Sequence, residues 1–279
     1  MDTKMNEIIL VPTDFSEVCN NAMHHAAEAA RYLQYKVVLL HVIDKNTKAQ
    51  LKKENKGTEA IDAKLNTMAG NLKKEFGVEA SILSREGDIF TTIGEVAKDI
   101  GASLIYLGTH GKVGVQQKIT GSFALKVVMS SPVPSVVVQK RPFNKGYQKI
   151  ILPITSDAGP WEKTKWASFI AKNFNSEIHV FHTDNPGLND ALKIITNHFE
   201  KEKVSYKLIK ADGSSFSKQV MDYSTANLID MIMIMTNPDT SFTKFILGSY
   251  DEEMIFNPSQ IPVMCINPRK YNWEKIFKL

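Results

Sequence analysis

Cysteine is almost missing from this chain. Its 279 residues include only Cys19 and Cys265, too few for a disulfide framework and too far apart in sequence for a metal knuckle. They read as two buried or half-buried thiols of a reducing cytoplasm. No apolar run approaches the ~18 residues that a membrane span requires. Residues Met1 to Glu7 lack the basic stretch, apolar core and small-residue cleavage site of a secretory signal, so secretion is not expected. Neither sign of charge dominates. Lys and Arg number 34 against 30 Asp and Glu, and a scattered net +4 argues against nucleic acid as the main partner. No Gly-Lys-Ser/Thr phosphate loop, carboxylate-supported His-x3-His pair or nucleophile–histidine–acid set is present. His24 and His25 are adjacent on a helical pattern and cannot both face one metal. No catalytic residue and no metal ligand is therefore assigned. What remains is a globular composition, 43% hydrophobic and 23% charged, with ample apolar surface to bury. Its length suggests about two domains.

An internal repeat bears that out within the sequence. The run Glu7-Ile-Ile-Leu-Val-Pro-Thr-Asp14 matches Lys149-Ile-Ile-Leu-Pro-Ile-Thr-Ser156. Val37 to His41 matches Ile178 to His182, and Ser103 to Leu107 matches Leu228 to Ile234. Each half closes on a proline-introduced strand, Val133 to Val138 and Ile261 to Ile266. Four landmarks in the same order mark a tandem duplication, with a polar junction at Gln139 to Gln148. The expected domains are residues 1–140 and 148–268.

Between the strand-like runs lie amphipathic helices. Val18, Ala22, Ala26, Ala29, Ala30 and Leu33 share one face after Ser16, a plausible N-cap. Ile89, Ile93, Val96, Ala97 and Ile100 do the same after Asp88. Short apolar strands alternating with such helices mean a parallel sheet covered on both faces. Each half is thus expected to be a five-stranded, doubly wound α/β domain. A ligand in such a sheet sits beyond the carboxyl ends of the strands, where the winding reverses. That gathers Asp14, Val42 and the loop after Leu107 around one crevice.

The loop reads Gly108-Thr-His-Gly111-Lys-Val-Gly-Val-Gln-Gln-Lys-Ile-Thr-Gly121-Ser122. Gly108 and Gly111 let the backbone approach a ligand and aim amides at it. Gly121 and Ser122 are read as opening a helix to Met129, whose free N–H groups attract anions. The loop holds Lys112 and Lys118 and no acidic residue.

This Gly-x2-Gly-x9-Gly-Ser pattern, with the Val-Pro-Thr-Asp-Phe-Ser opening, His41-Val42 and the Ser-Pro-Val-Pro-Ser-Val-Val-Val ending, resembles the ATP-binding branch of the universal stress protein family. The resemblance covers nearly the whole chain as two copies. It implies adenine-nucleotide alpha-hydrolase-like domains with strand order 3-2-1-4-5. It also implies that Asp14 hydrogen-bonds the nucleoside, that Pro12 and Thr13 shape its turn, and that the Val42 backbone holds the adenine edge. Gly108, His110, Gly111, Gly121, Ser122 and the Phe123 amide would surround the phosphates, with Lys112 either near them or a solvated loop lysine. Magnesium would accompany ATP, held mainly by phosphates and water.

The second half departs from the pattern. Ser156 is read as the counterpart of Asp14, and Met235 and Pro238 replace the first two loop glycines, with Asp239 adding charge of the wrong sign. It is expected not to bind ATP. It is also shorter, lacking the lysine-rich stretch of Lys48, Lys52, Lys53 and Lys56, which reads as a solvated helix, with a lid or docking segment as the alternative. His41 and His182 are expected in packing or backbone bonding, and the tail from Tyr271 to Leu279 as a strap on the domain. The whole is expected to be a nucleotide-dependent stress-response switch, its halves forming an intramolecular pseudo-dimer, with further homodimers and an unknown protein partner. The alternatives are a nucleotide-independent scaffold and a slow ATP hydrolase dependent on His110 or Asp14.

Overall fold

A computed structural model describes residues 7–109, 117–143, 145–155, 160–212, 215–236 and 249–267. They fall into two compact units divided between Phe143 and Asn144.

The first unit runs β1 (Ile8–Pro12), α1 (Glu17–Leu33), β2 (Lys36–Ile43), α2 (Lys45–Lys53), α3 (Glu59–Phe76), β3 (Ala80–Glu86), α4 (Ile89–Asp99), β4 (Leu104–Gly108), α5 (Gln117–Ser130) and β5 (Ser135–Val138). Its strands are parallel, in the order β3-β2-β1-β4-β5. The second runs β6 (Lys149–Ile154), α6 (Pro160–Phe174), β7 (Glu177–His182), a 3-10 turn (Pro186–Leu188), α7 (Asn189–Lys201), β8 (Ser205–Lys210), α8 (Phe216–Ala226), β9 (Met231–Met235), α9 (Ser249–Ile255) and β10 (Val263–Ile266). Its order, β8-β7-β6-β9-β10, is again 3-2-1-4-5 and parallel.

Local chemistry sets the helix starts. The Ser16 hydroxyl accepts from the Cys19 amide, and Asp88 accepts from the Phe90 and Thr91 amides, each satisfying donors that an isolated helix end leaves open. The apolar stripe of α1 is buried as its spacing predicts, Val18, Ala22, Ala26, Ala29, Ala30 and Leu33 all lying inside. Both cysteines are buried free thiols. The lysine-rich stretch forms α2, a helix whose one buried residue is Leu51. The second unit has in its place only the 3-10 turn before α7.

Two expectations are corrected. Helix α5 begins at Gln117, so Gly121 and Ser122 lie in its second turn rather than at its start. A glycine inside a helix costs only about 1 kcal/mol relative to alanine, and the face made by Ala124, Val127 and Val128 is buried deeply enough to carry the helix through it. The second correction concerns the repeat. Pro12 lies opposite Leu40 while Pro153 lies opposite Phe181, and Ile9 opposite Leu104 while Ile150 lies opposite Met231. Strand pairing therefore equates Pro12 with Pro153, and the counterpart of Asp14 is Thr155, not Ser156. No helix of the described residues is long and apolar enough to cross a membrane.

Candidate functional site

The first unit's winding reverses between β1 and β4, and there the sheet opens. β1 keeps pairing with β2 as far as Pro12, and β4 with β5 as far as Gly108, but β1 and β4 pair only at Ile9↔Leu104 and Leu10↔Ile105. The carboxyl ends of the two central strands thus splay apart, leaving a crevice of the kind that binds ligands in open α/β sheets.

The turn after β1 forms one wall of this crevice. Thr13 Oγ1 accepts from the Phe15 amide at 3.0 Å, and Asp14 Oδ1 accepts from the Ser16 amide at 2.9 Å. Asp14 is exposed. Partial burial works to raise its pKa, but the hydrogen bonds from Ser16 and Cys19 outweigh it and hold the carboxyl below its ordinary value. An ionised acceptor therefore stands at the crevice mouth.

Beside it, successive residues of β2 turn their amides to alternate neighbours. Val37 donates to Glu79 on the β3 side, while Leu40 accepts from Thr13 on the β1 side. Val42 shares the parity of Leu40, so its N–H points past the end of β1 into the same opening. Its carbonyl accepts from Asp44 at 3.1 Å.

His41 supports this wall and does not line it. Its Nδ1–H donates to the Thr13 carbonyl at 2.7 Å, which leaves Nε2 to accept from the Thr47 hydroxyl at 3.4 Å. Burial, the main cause, lowers its pKa despite that carbonyl and the nearby Asp14 and Asp44. A neutral ring fits both bonds.

The sequence pattern of the universal stress protein family matches residues 5–139. Universal stress protein MJ0577 of Methanocaldococcus jannaschii is 30% identical over 161 residues, which span 49% of this chain and 97% of the relative. Universal stress protein MJ0531 of the same organism is 32% identical over 143 residues, 47% of this chain and 81% of the relative. This chain belongs to the universal stress protein family. The crystal structure of a universal stress protein from Archaeoglobus fulgidus superposes on 94% of this chain and 98% of its own with a TM-score of 0.78 at 18% identity, a likeness of fold.

Within this universal stress protein the structure brings together Pro12, Thr13, Asp14, Val42 and Gly108 at the carboxyl ends of β1, β2 and β4. Gly121, Ser122 and Phe123 lie on α5, where the Phe123 ring packs against Phe90 at 4.8 Å. His110, Gly111 and Lys112 lie outside the described residues, as do Ser156, Pro238, Asp239 and the tail from Tyr271. Gly108 has a reason of its own to be glycine. A Cβ there would meet the Val18 carbonyl oxygen at 2.6 Å and the Cys19 nitrogen at 2.7 Å, because the first turn of α1 crosses directly over it.

Two residues were not foreseen. Thr109 follows Gly108, is fully buried, and its hydroxyl has no hydrogen-bond partner among the described residues. Its counterpart Thr236 holds the same place in the second unit, each amide donating to the last residue of the neighbouring strand at 2.9 Å. There the hydroxyl is satisfied by Asn267 and by the Ile266 carbonyl. The second is Lys163 on α6, which the strand register equates with Ala22. Its buried ammonium donates to the Pro153 carbonyl at 2.5 Å. Lys149 accepts from Asp230 next to β9, and Pro153 shares its parity, so that carbonyl faces the splay between β6 and β9, which pair only at Ile150↔Met231 and Ile151↔Ile232. A lysine thus occupies the second unit's switch point. Burial, the larger cause, lowers its pKa to about 8 against the opposing pull of Asp251.

Among the described residues no group of three or more His, Cys, Asp or Glu side chains is gathered as a metal site.

Proposed function

We propose that the first unit binds ATP in the β1/β4 crevice and that the protein acts as a nucleotide-dependent stress-response switch. The observation that carries this reading is the exposed Asp14 carboxylate held ionised at the mouth of the splay, with the Val42 amide on the neighbouring strand end. A carboxylate accepts from ribose hydroxyls, and an outward backbone amide donates to an adenine ring nitrogen. The buried, unpartnered hydroxyl of Thr109 also fits a ligand-bearing loop. Leaving such a group unsatisfied costs about 1–3 kcal/mol, and the second unit avoids that cost through Asn267.

When bound, ATP brings the anionic phosphates that the Gly108–Ser122 loop is composed to accept, with magnesium held by those phosphates and water. The chain's own residues would orient the nucleoside, and the absence of Asp and Glu from the Gly108–Ser122 loop supports occupancy rather than turnover as the signal. Two free cysteines suit a reducing, cytoplasmic compartment.

Calorimetric titration with ATP and magnesium, beside the variant Asp14→Ala, tests the reading. One site per chain, weakened at least tenfold in the variant, is expected. Absence of binding at millimolar ATP would leave a nucleotide-independent scaffold in its place.

A further inference from the structure

Phe15 sits beside Asp14 in a conformation that a bulky side chain rarely adopts. Its φ of 68° lies in the left-handed region, which costs a non-glycine residue free energy and persists only where the surroundings enforce it. Three contacts enforce it here. The Phe15 amide donates to Thr13 Oγ1 at 3.0 Å. Its ring stacks on His41, centroids 4.6 Å apart and planes 15° off parallel. The ammonium of Lys64, from α3, stands 4.0 Å from the ring centroid. His41 and Lys64 therefore both pack against the Phe15 ring, one from β2 and one from α3. His41 is itself tied to the turn through the Thr13 carbonyl and to α2 through Thr47. The turn carrying Asp14 is therefore gripped by α2 and α3. The second unit differs here. Thr155 stands where the first unit has Asp14, and among the described residues His182 bonds its neighbour Thr183 rather than a turn.

We propose that Lys64 and Phe15 are positioning residues, a cation–aromatic clamp by which α3 holds the Asp14 turn in its ligand-binding geometry. The proposal rests on the nucleotide reading for its consequence but not for its geometry. Without the ammonium, the ring loses one of its two packing partners and the strained turn can relax toward ordinary φ values. Asp14 then spends less time facing the crevice. The exposed Lys64 ammonium also gives a route for regulation from outside. A partner that draws Lys64 off the ring weakens nucleotide binding without entering the site.

The test compares the full-length protein with Lys64→Met, Lys64→Arg, Phe15→Leu and the Lys64→Met/Phe15→Leu double variant. Amide hydrogen exchange reads the turn directly, and ATP titration reads the consequence. In Lys64→Met the Phe15 and Ser16 amides should exchange about 2- to 5-fold faster, in line with an exposed cation–π contact. ATP affinity should fall by a similar factor while the urea midpoint stays put. Lys64→Arg, which keeps a cation over the ring, should restore both. In the Phe15→Leu background Lys64→Met should add nothing. Unchanged exchange in Lys64→Met would overturn the proposal. So would an equal loss of affinity with and without the Phe15 ring, since Lys64 would then act as a plain charge. If the wild type binds no ATP but the exchange pattern holds, the clamp stands and the nucleotide reading falls.

Discussion

A single missing methyl group shapes the crevice. At Gly108 the atoms that an added Cβ would strike, the Val18 carbonyl oxygen and the Cys19 nitrogen, are backbone and cannot swing aside. Gly108→Ala must push α1 off the sheet, and overpacking of that kind costs about 1–3 kcal/mol. Gly70, on α3, has nothing within 4 Å of its would-be Cβ, so Gly70→Ala should gain about 0.5–1 kcal/mol. Urea unfolding of both variants gives the two signs side by side. If Gly108→Ala proved neutral, the glycine would be there for the ligand alone. His25 supplies a second test at this scale. It is buried on α1, its Nε2–H donating to the Arg141 carbonyl at 2.8 Å. Burial, the largest cause, lowers its pKa from 6.5 to about 4. Below pH 6.5 the unfolded chain takes up a proton that the folded chain refuses until about pH 4. The stability His25 contributes is therefore whole above pH 6.5 and drains as pH falls toward 4, by at most ~3 kcal/mol. Urea midpoints measured across that window should decline in the wild type and decline less in His25→Gln.

Helix starts separate what local sequence states from what it does not. Asp88 accepts from Phe90 at 2.9 Å and Thr91 at 3.3 Å. Asp88→Ala should cost about 1 kcal/mol, read as a lower urea midpoint with an unchanged slope. A loss near zero would mean that solvent satisfies those amides equally well. Ser16 and Asp88 were legible because a cap acts within three residues, and the burial of α1 was legible because its apolar spacing is its own record. The start of α5 was not. Gly121-Ser122 looks like an opening, yet the helix is carried across it by a buried face further on. The repeat register was off by one for a similar reason. Aligning the ends of the runs Ile-Ile-Leu-Val-Pro-Thr and Ile-Ile-Leu-Pro-Ile-Thr sets Asp14 against Ser156, whereas strand pairing sets Pro12 against Pro153. Pairing is long-range, and a lone sequence does not contain it. The Asp14–Val42–Gly108 gathering was legible because the doubly wound fold dictates it. The unpartnered Thr109 hydroxyl was not, since nothing in a threonine's neighbours along the chain announces that its bond is unmade.

At the scale of the whole chain, one fold occurs in two units that treat the same opening differently. The first unit keeps Asp14, Gly108 and the small Ala22. The second has Thr155, Met235 and Lys163 in their places, and the lysine reaches into the splay that the first unit leaves open. Nothing along the sequence singles out Lys163, and only the fold reveals it as the second unit's own occupant. Its chemistry makes the claim measurable. A lysine whose pKa drops from 10.5 to about 8 on folding binds its proton less readily in the folded chain. Between pH 8 and 10.5 the unfolded state holds more protons, so stability must rise with pH across that window. Lys163→Met, which fills similar volume without the charge, should abolish the rise. At pH 7 it should leave the protein at least as stable, because replacing a buried charge by an apolar chain is often neutral or favourable. Urea unfolding at pH 7, 8, 9 and 10 decides it. If the slope survives in Lys163→Met, another group titrates there. If the variant is instead much weaker at pH 7, the bond from the ammonium to Pro153 holds the splay together, and the second unit depends on that contact for its fold.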